Sequence, residues 1–105
     1  MNIFDIYIAY VSWGDGGKKR PVLILVQMAG SVIVFNITTR YEGKNENVRR
    51  KYFRISEWQQ AGLDKQSYID TNSTITLPIS AVDVQNPIGM LTEADVLRFI
   101  EFLDR

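Results

Sequence analysis

The sequence has no cysteine and no histidine. Without cysteine there are no disulfides, no thiolate metal sites and no cysteine nucleophile, and the cytoplasm is the expected location. Without histidine the commonest general base and the commonest metal ligand are gone. Acid–base chemistry must then fall to carboxylates, tyrosine, lysine, or a hydroxyl helped by arginine. Long apolar runs are also missing. The longest, Val22 to Val26, has strand length, far below the roughly 18 to 20 residues of a membrane span. The opening Met1-Asn2-Ile3-Phe4-Asp5 lacks the basic and apolar blocks of a signal peptide. The carboxylates are scattered singly, so no metal site is expected and no cofactor is implied.

What is present fits one globular domain over residues 1–105, with 46% apolar and 23% charged residues. Net charge is zero, but the signs are segregated. Lys18 to Arg54 holds nine basic residues against Glu42 and Glu46, whereas Ile55 onward holds three basic against eight acidic. A basic surface of that kind suits a phosphate backbone. A solvated, Lys- and Arg-rich loop explains the same count.

Asp5 to Val11 is rich in β-branched and aromatic residues and reads as a strand. Ser12 to Lys19, with three glycines, reads as a flexible loop. Pro21 to Met28 is a second strand, apolar enough for burial on both faces, and Ala29-Gly30 turns it into a third, Ser31 to Thr39. Arg40 to Val48 is a polar loop. Arg49 to Ile55 alternates, with Arg50, Tyr52 and Arg54 on one side and Lys51, Phe53 and Ile55 on the other, as in a strand with one wet face. Ser56 to Gly62 is expected to be a short helix capped by Ser56, with Trp58 packed on it. Ser67 to Asp70 and Thr74 to Leu77 are short strands around a bend, and Ala81 to Val84 is a further candidate. At the end, Thr92 and Asp95 form a variant capping box, and Leu91 and Val96 a hydrophobic staple. Val96, Leu97, Phe99, Ile100 and Leu103 then recur at helical spacing, predicting a helix that lays this stripe on a sheet. The fold class is mainly β with a C-terminal helix, a small antiparallel barrel.

At Lys18-Lys19-Arg20-Pro21-Val22-Leu23-Ile24-Leu25 the chain resembles the MazF/PemK/Kid toxin family, in which a Gly-rich loop leads through Arg-Pro into an apolar strand. Asp5-Ile6-Tyr7, Ile37-Thr38-Thr39, Thr74-Ile75 and Ile88-Gly89-Met90-Leu91 resemble further segments of that family in the same order. Phe4 stands where the family usually has Gly, and Tyr68 and Ser73 lie near positions where relatives often carry Arg. The resemblance implies an SH3-like barrel of the CcdB/PemK type, a homodimer, and a cognate antitoxin. It also implies metal-independent, sequence-selective cleavage of single-stranded RNA, leaving a 2′,3′-cyclic phosphate and a 5′-hydroxyl. Arg20 falls on the family's catalytic Arg, Thr38 on the catalytic Thr of one branch, and Asp70 on an acidic position that another branch uses.

Those residue types suit the chemistry. A guanidinium presents paired donors to phosphate oxygens and can neutralise a growing phosphorane. Arg20 would otherwise be a surface Arg anchoring a turn, and Thr38 a strand-end Thr. Asp70 fits a general base equally as well as an Asx-turn cap. Tyr68 is a further candidate acid. Trp13, beside Lys18 and Lys19, suits base stacking, or a dimer interface. Thr39, Arg40, Arg49, Arg50 and Lys51 are candidate phosphate contacts. A catalytically silent or CcdB-like binding protein on the same barrel, or a plain RNA-binding module, would fit the pattern without the chemistry.

Overall fold

The near-continuous apolar run of the second strand explains the architecture. In the computed structural model, which describes residues 1–105, Val22, Leu23 and Ile24 are all buried, and they enter two different cores. Successive strand residues point to opposite faces, so this strand has packed material on both. It is β2 (Gly16–Met28), flanked by β1 (Asp5–Trp13) and β3 (Ser31–Thr38). A helical turn α1 (Glu46–Arg49), a short β4 (Tyr52–Arg54), a long β5 (Tyr68–Pro78), β6 (Gly89–Met90) and helix α2 (Glu93–Leu103) follow. The six strands form one antiparallel sheet in the order β4-β5-β3-β2-β1-β6, curled into a half-barrel. Register shifts between Ile24 and Val26, and between Val34 and Asn36, mark the irregularities that let it bend.

One face carries Ile6, Leu23, Phe35, Ile37, Phe53 and Ile69, closed by Phe99 of α2. The other carries Tyr7, Ala9, Val22, Ile24, Val32 and Val34, closed by Leu77 and Val82.

Several expectations are corrected. Ser12 to Lys19 is not a flexible loop: β1 and β2 pair through Trp13 and Gly16, leaving only Gly14 and Asp15 as the turn. The glycines here serve side chains as well as the turn. A β-carbon on Gly17 would overlap the Tyr10 ring, and one on Gly16 would press on the indole of Trp13. Glu46–Arg49 forms a helical turn inside the expected loop and strand, with Asn45 accepting from the Val48 amide at 3.0 Å. The strand expected from Arg49 therefore shrinks to Tyr52–Arg54, and its alternation fails, because Tyr52 and Phe53 are both buried.

Ser56 to Gly62 is a run of turns with one helical bond, Ala61 amide to Glu57 carbonyl, and ends at Gly62 with φ +93°. Its cap is not Ser56's own hydroxyl. The amides of Ser56 and Glu57 donate to the Asp95 carboxylate at 3.2 and 2.8 Å. The bend at Thr71 to Ser73 lies within a single β5, and Ala81 to Val84 contributes only a bridge from Val82 to Ala9. Ile88 and β6 lie very close to the 56–62 turn. A β-carbon on Gly62 would collide with the Ile88 carbonyl, and one on Gly89 with the Ala61 carbonyl.

Helix α2 starts as its sequence predicts, with the Thr92 hydroxyl accepting from the Asp95 amide at 3.2 Å and donating to Glu57. Its rotation differs. Asp95, Phe99 and Phe102 turn inward, whereas Leu97, Ile100 and Leu103 are 60%, 51% and 48% exposed. Asp95 sets that rotation, because its buried carboxylate binds the two turn amides and Arg98. Phe4 has φ 71°, a left-handed conformation that costs a non-glycine residue about 1 to 2 kcal/mol. Its ring packs edge-on against Phe99 at 5.8 Å, an interaction glycine could not make.

Candidate functional site

The second sheet face is apolar at one end and polar at the other. Val32 and Val34 of β3 are in the core, but Asn36 and Thr38 continue the same face. Across the sheet Val22, Asn36, Asp70 and Tyr52 stand in one row, and Thr38, Tyr68 and Arg54 in the next. Arg20, two residues before Val22, lies opposite Ala9 on that face. The end of the barrel interior is thereby converted from core to site.

A cleft of about 530 Å³ opens over it. Trp13, Lys18, Lys19 and Arg20 line it from the β1–β2 hairpin, Thr38, Thr39 and Arg40 from the end of β3, and Tyr52 and Asp70 from the far strands. Lys44 completes five cations against the single carboxylate of Asp70. A second cleft, of about 390 Å³, shares Thr39, Arg40 and Lys44 and adds Tyr41, Glu42, Gly43, Gln66 and Tyr68. Of the other sequence-predicted residues, Arg49 lies with its guanidinium 5.5 Å from the Tyr41 ring centroid. Arg50 and Lys51 line a separate cleft with Phe35 and Phe102 of α2.

Two buried polar atoms stand unpaired here, one on Arg20 in the cleft lining and one on Asn36 in the neighbouring row. Arg20 Nε is buried without a hydrogen-bond partner, and so is Asn36 Oδ1. Leaving a buried polar group unpaired costs about 1 to 3 kcal/mol, which a fold tolerates where something else is to be bound. The Arg20 guanidinium also sits 5.8 Å from the Trp13 ring centroid, so the indole helps hold it in place.

Asp70 makes the anticipated Asx cap from within the cleft lining. Its Oδ1 accepts from the Asn72 amide at 2.9 Å and the Asn72 side chain at 2.7 Å, as an Asx cap, while the residue still lines the cleft. Thr38 Oγ1 accepts from the Arg40 amide at 3.0 Å, which orients the hydroxyl and leaves its proton to donate. The Tyr52 phenol is pushed above its ordinary value of 10.0 by burial first and by the Asp70 charge second, with Arg20 opposing. At neutral pH it is a proton donor.

Sequence reasoning missed Tyr52 and Asn36. The signal for Asn36 was there: in Val32-Ile33-Val34-Phe35-Asn36-Ile37-Thr38 it shares a period-two face with Thr38. Tyr52 had no such signal, because only the β4–β5 register sets it opposite Asp70.

No protein-family model matches this sequence, and no curated protein matches it. Among solved structures it is similar to the Mycobacterium tuberculosis toxin MazF-mt6, with 25% sequence identity and a TM-score of 0.69. That match covers 93% of this chain and 90% of the other. The family resemblance read from short segments is thus borne out over nearly the whole chain, and the mainly β architecture with its C-terminal helix is of the MazF type.

Proposed function

We propose that this MazF-type chain is a sequence-selective endoribonuclease toxin, cleaving single-stranded RNA, messenger RNA included, by attack of a 2′-hydroxyl on its own phosphodiester. The observation that carries the reading is the partnerless, buried Arg20 nitrogen at the floor of a basic cleft that also holds Asp70 and Tyr52. Lys18, Lys19, Arg40 and Lys44 draw in the backbone, and Trp13 offers a stacking face beside them.

In the reaction the 2′-oxygen bonds to phosphorus and its proton passes to the Asp70 carboxylate. Arg20 and the Thr38 hydroxyl hold the non-bridging oxygens as charge grows on them, the role worth about 3 to 4 kcal/mol for a single oxyanion donor elsewhere. The bond from phosphorus to the 5′-oxygen breaks, and that oxygen takes the Tyr52 proton. The products are a 2′,3′-cyclic phosphate and a 5′-hydroxyl. Solvent returns the phenol and carboxylate to their starting states. The guanidinium supplies the charge a metal would otherwise bring, so the chemistry proceeds in a chelator.

The same reading brings a cognate antitoxin that occupies the RNA groove, DNA binding by the toxin–antitoxin complex, growth inhibition when the toxin is free, and action in the cytoplasm. No helix is long and apolar enough to cross a membrane. The exposed Leu97, Ile100 and Leu103 on α2 support a homodimer, since solitary apolar rows on a helix normally find a partner.

The test is incubation of the purified chain with a long single-stranded transcript in EDTA, followed by mapping of the 5′-ends. Cuts at a recurring short sequence, lost in Arg20→Ala, are expected. Growth arrest on expression with intact RNA would instead select a CcdB-like binding protein on the same fold.

A further inference from the structure

The polar groove does not stop at Arg20. Thr39, Arg40 and Lys44 form a rim common to the cleft over Arg20 and to the one walled by Tyr41 and Tyr68. These two rings are nearly parallel, 19° between planes and 4.5 Å between centroids. Tyr52, which faces the first cleft, stands 6.1 Å from Tyr41 and 6.5 Å from Tyr68. Three phenols therefore form an aromatic partition from one cleft to the next. Tyr41 and Tyr68 are only partly buried, so the pair is open to the cleft instead of sealed as core.

The second cleft also has a fixed polarity. Gln66 lines it, and the Gln66 side-chain nitrogen donates to the carbonyls of Ile55 and Ser67 at 2.9 and 3.1 Å. Two carbonyl partners can be served only by the NH₂ end, so the amide cannot flip. Its Oε1 is left as a pre-oriented acceptor. An acceptor beside an aromatic stack selects a planar ring carrying an N–H donor.

We propose that this cleft is the base-selecting subsite for the RNA cut at Arg20. A nucleobase next to the scissile phosphate extends the Tyr41–Tyr68 stack and donates an exocyclic amino hydrogen to Gln66 Oε1. The inference rests on the ribonuclease reading. Where adenine and cytosine carry their N6 or N4 amino group, guanine and uracil carry an oxygen, so adenine and cytosine are preferred. Arg49, over the Tyr41 ring, acts as a removable cover: it exchanges its cation–π contact for a phosphate of the incoming strand.

The experiment uses the full chain and RNA oligomers spanning the mapped cleavage site, with a 2′-O-methyl group blocking the attacking hydroxyl. Affinity is read by fluorescence anisotropy at fixed salt, with the base at each flanking position removed in turn. At one adjacent position, base removal should weaken binding about 5- to 150-fold, the usual range for a base stacked on an aromatic side chain. At that position cytosine-to-uracil or adenine-to-purine replacement should also weaken binding. Tyr41→Ala should erase the abasic penalty there and Tyr41→Phe should keep it, while Gln66→Met should erase only the amino-group preference. A purely structural role for Tyr41 would lower affinity for every oligomer by one factor. Penalties unchanged in Tyr41→Ala at all flanking positions would overturn the subsite while leaving the nuclease standing. An unmodified oligomer left uncut by the parent protein would instead remove the reading on which the subsite rests.

Discussion

Asp70 stands directly across the β4–β5 ladder from Tyr52, and its charge adds to burial in tightening the phenol's hold on its proton. Arg20 pulls the other way on the same proton. The three side chains are thus electrostatically joined, although they come from three different strands. In the proposed reaction this pairing separates two proton roles, the carboxylate receiving and the phenol giving.

Tyr52→Phe removes only the donor, leaving the ring against Tyr41 and Tyr68. Cleavage should fall about 100-fold, in keeping with the loss of a positioned general acid. Single-turnover rates on one oligomer would measure it.

The same substitution has a signature in stability. A phenol with its proton held more tightly in the fold contributes a stability that is complete below the unfolded value near 10.0 and disappears as pH climbs past it. Urea midpoints from pH 8 to 11 should therefore decline less steeply in Tyr52→Phe than in the parent chain. Parallel curves would show that the phenol's environment does not favour its neutral form.

Arg20→Ala should cost about 100- to 1000-fold in cleavage while leaving the melting temperature unchanged or higher, because it removes a buried donor with no partner. Arg20→Lys should recover only part of the rate, since an ammonium keeps the charge and loses the planar fork. A large fall in melting temperature in both variants would recast Arg20 as a structural residue.

Backbone attraction should show in salt. Each of Lys18→Gln, Lys19→Gln and Lys44→Gln should make the plot of log affinity against log salt shallower by about 0.7 for a single strand. Lys51→Gln, in the separate cleft beside α2, sets the comparison. An equal change there would mean that RNA tracks across the far side as well.

Asp95→Ala strands the amides of Ser56 and Glu57, whereas the half-exposed Arg98 turns to water, and about 3 kcal/mol of stability should go with the two amides. Chemical denaturation would register this as a lower midpoint. Asp95→Asn, which keeps an acceptor oxygen, should fall in between.

Much of the scaffold was legible in local pattern. The strand from Asp5, the Ala29-Gly30 hairpin and the Thr92 cap are encoded by neighbours in sequence, and the structure has each of them. The rotation of α2 was not legible, because periodicity counts Asp95 as a wet residue and here it is the most deeply buried polar group. The hairpin from Trp13 to Gly16 was hidden because glycine signals looseness in sequence, whereas two of these three make room for rings. At the site, the resemblance pointed to Arg20, Thr38 and Asp70, and the fold brings them to one cleft. Tyr52 and Tyr41 depend on cross-strand register and on the path of the 40–45 segment, neither of which is written in periodicity.

The bare α-carbons of Gly62 and Gly89 carry a risk out of proportion to their size. β6 is only two residues long, yet it is what covers the outer rim of β1 at Asp5 and Ile6. A methyl group at either glycine would lever that cover away and leave amides and carbonyls facing outward, the kind of template on which other chains add themselves. The first symptom of such a change would be clumping of otherwise intact molecules.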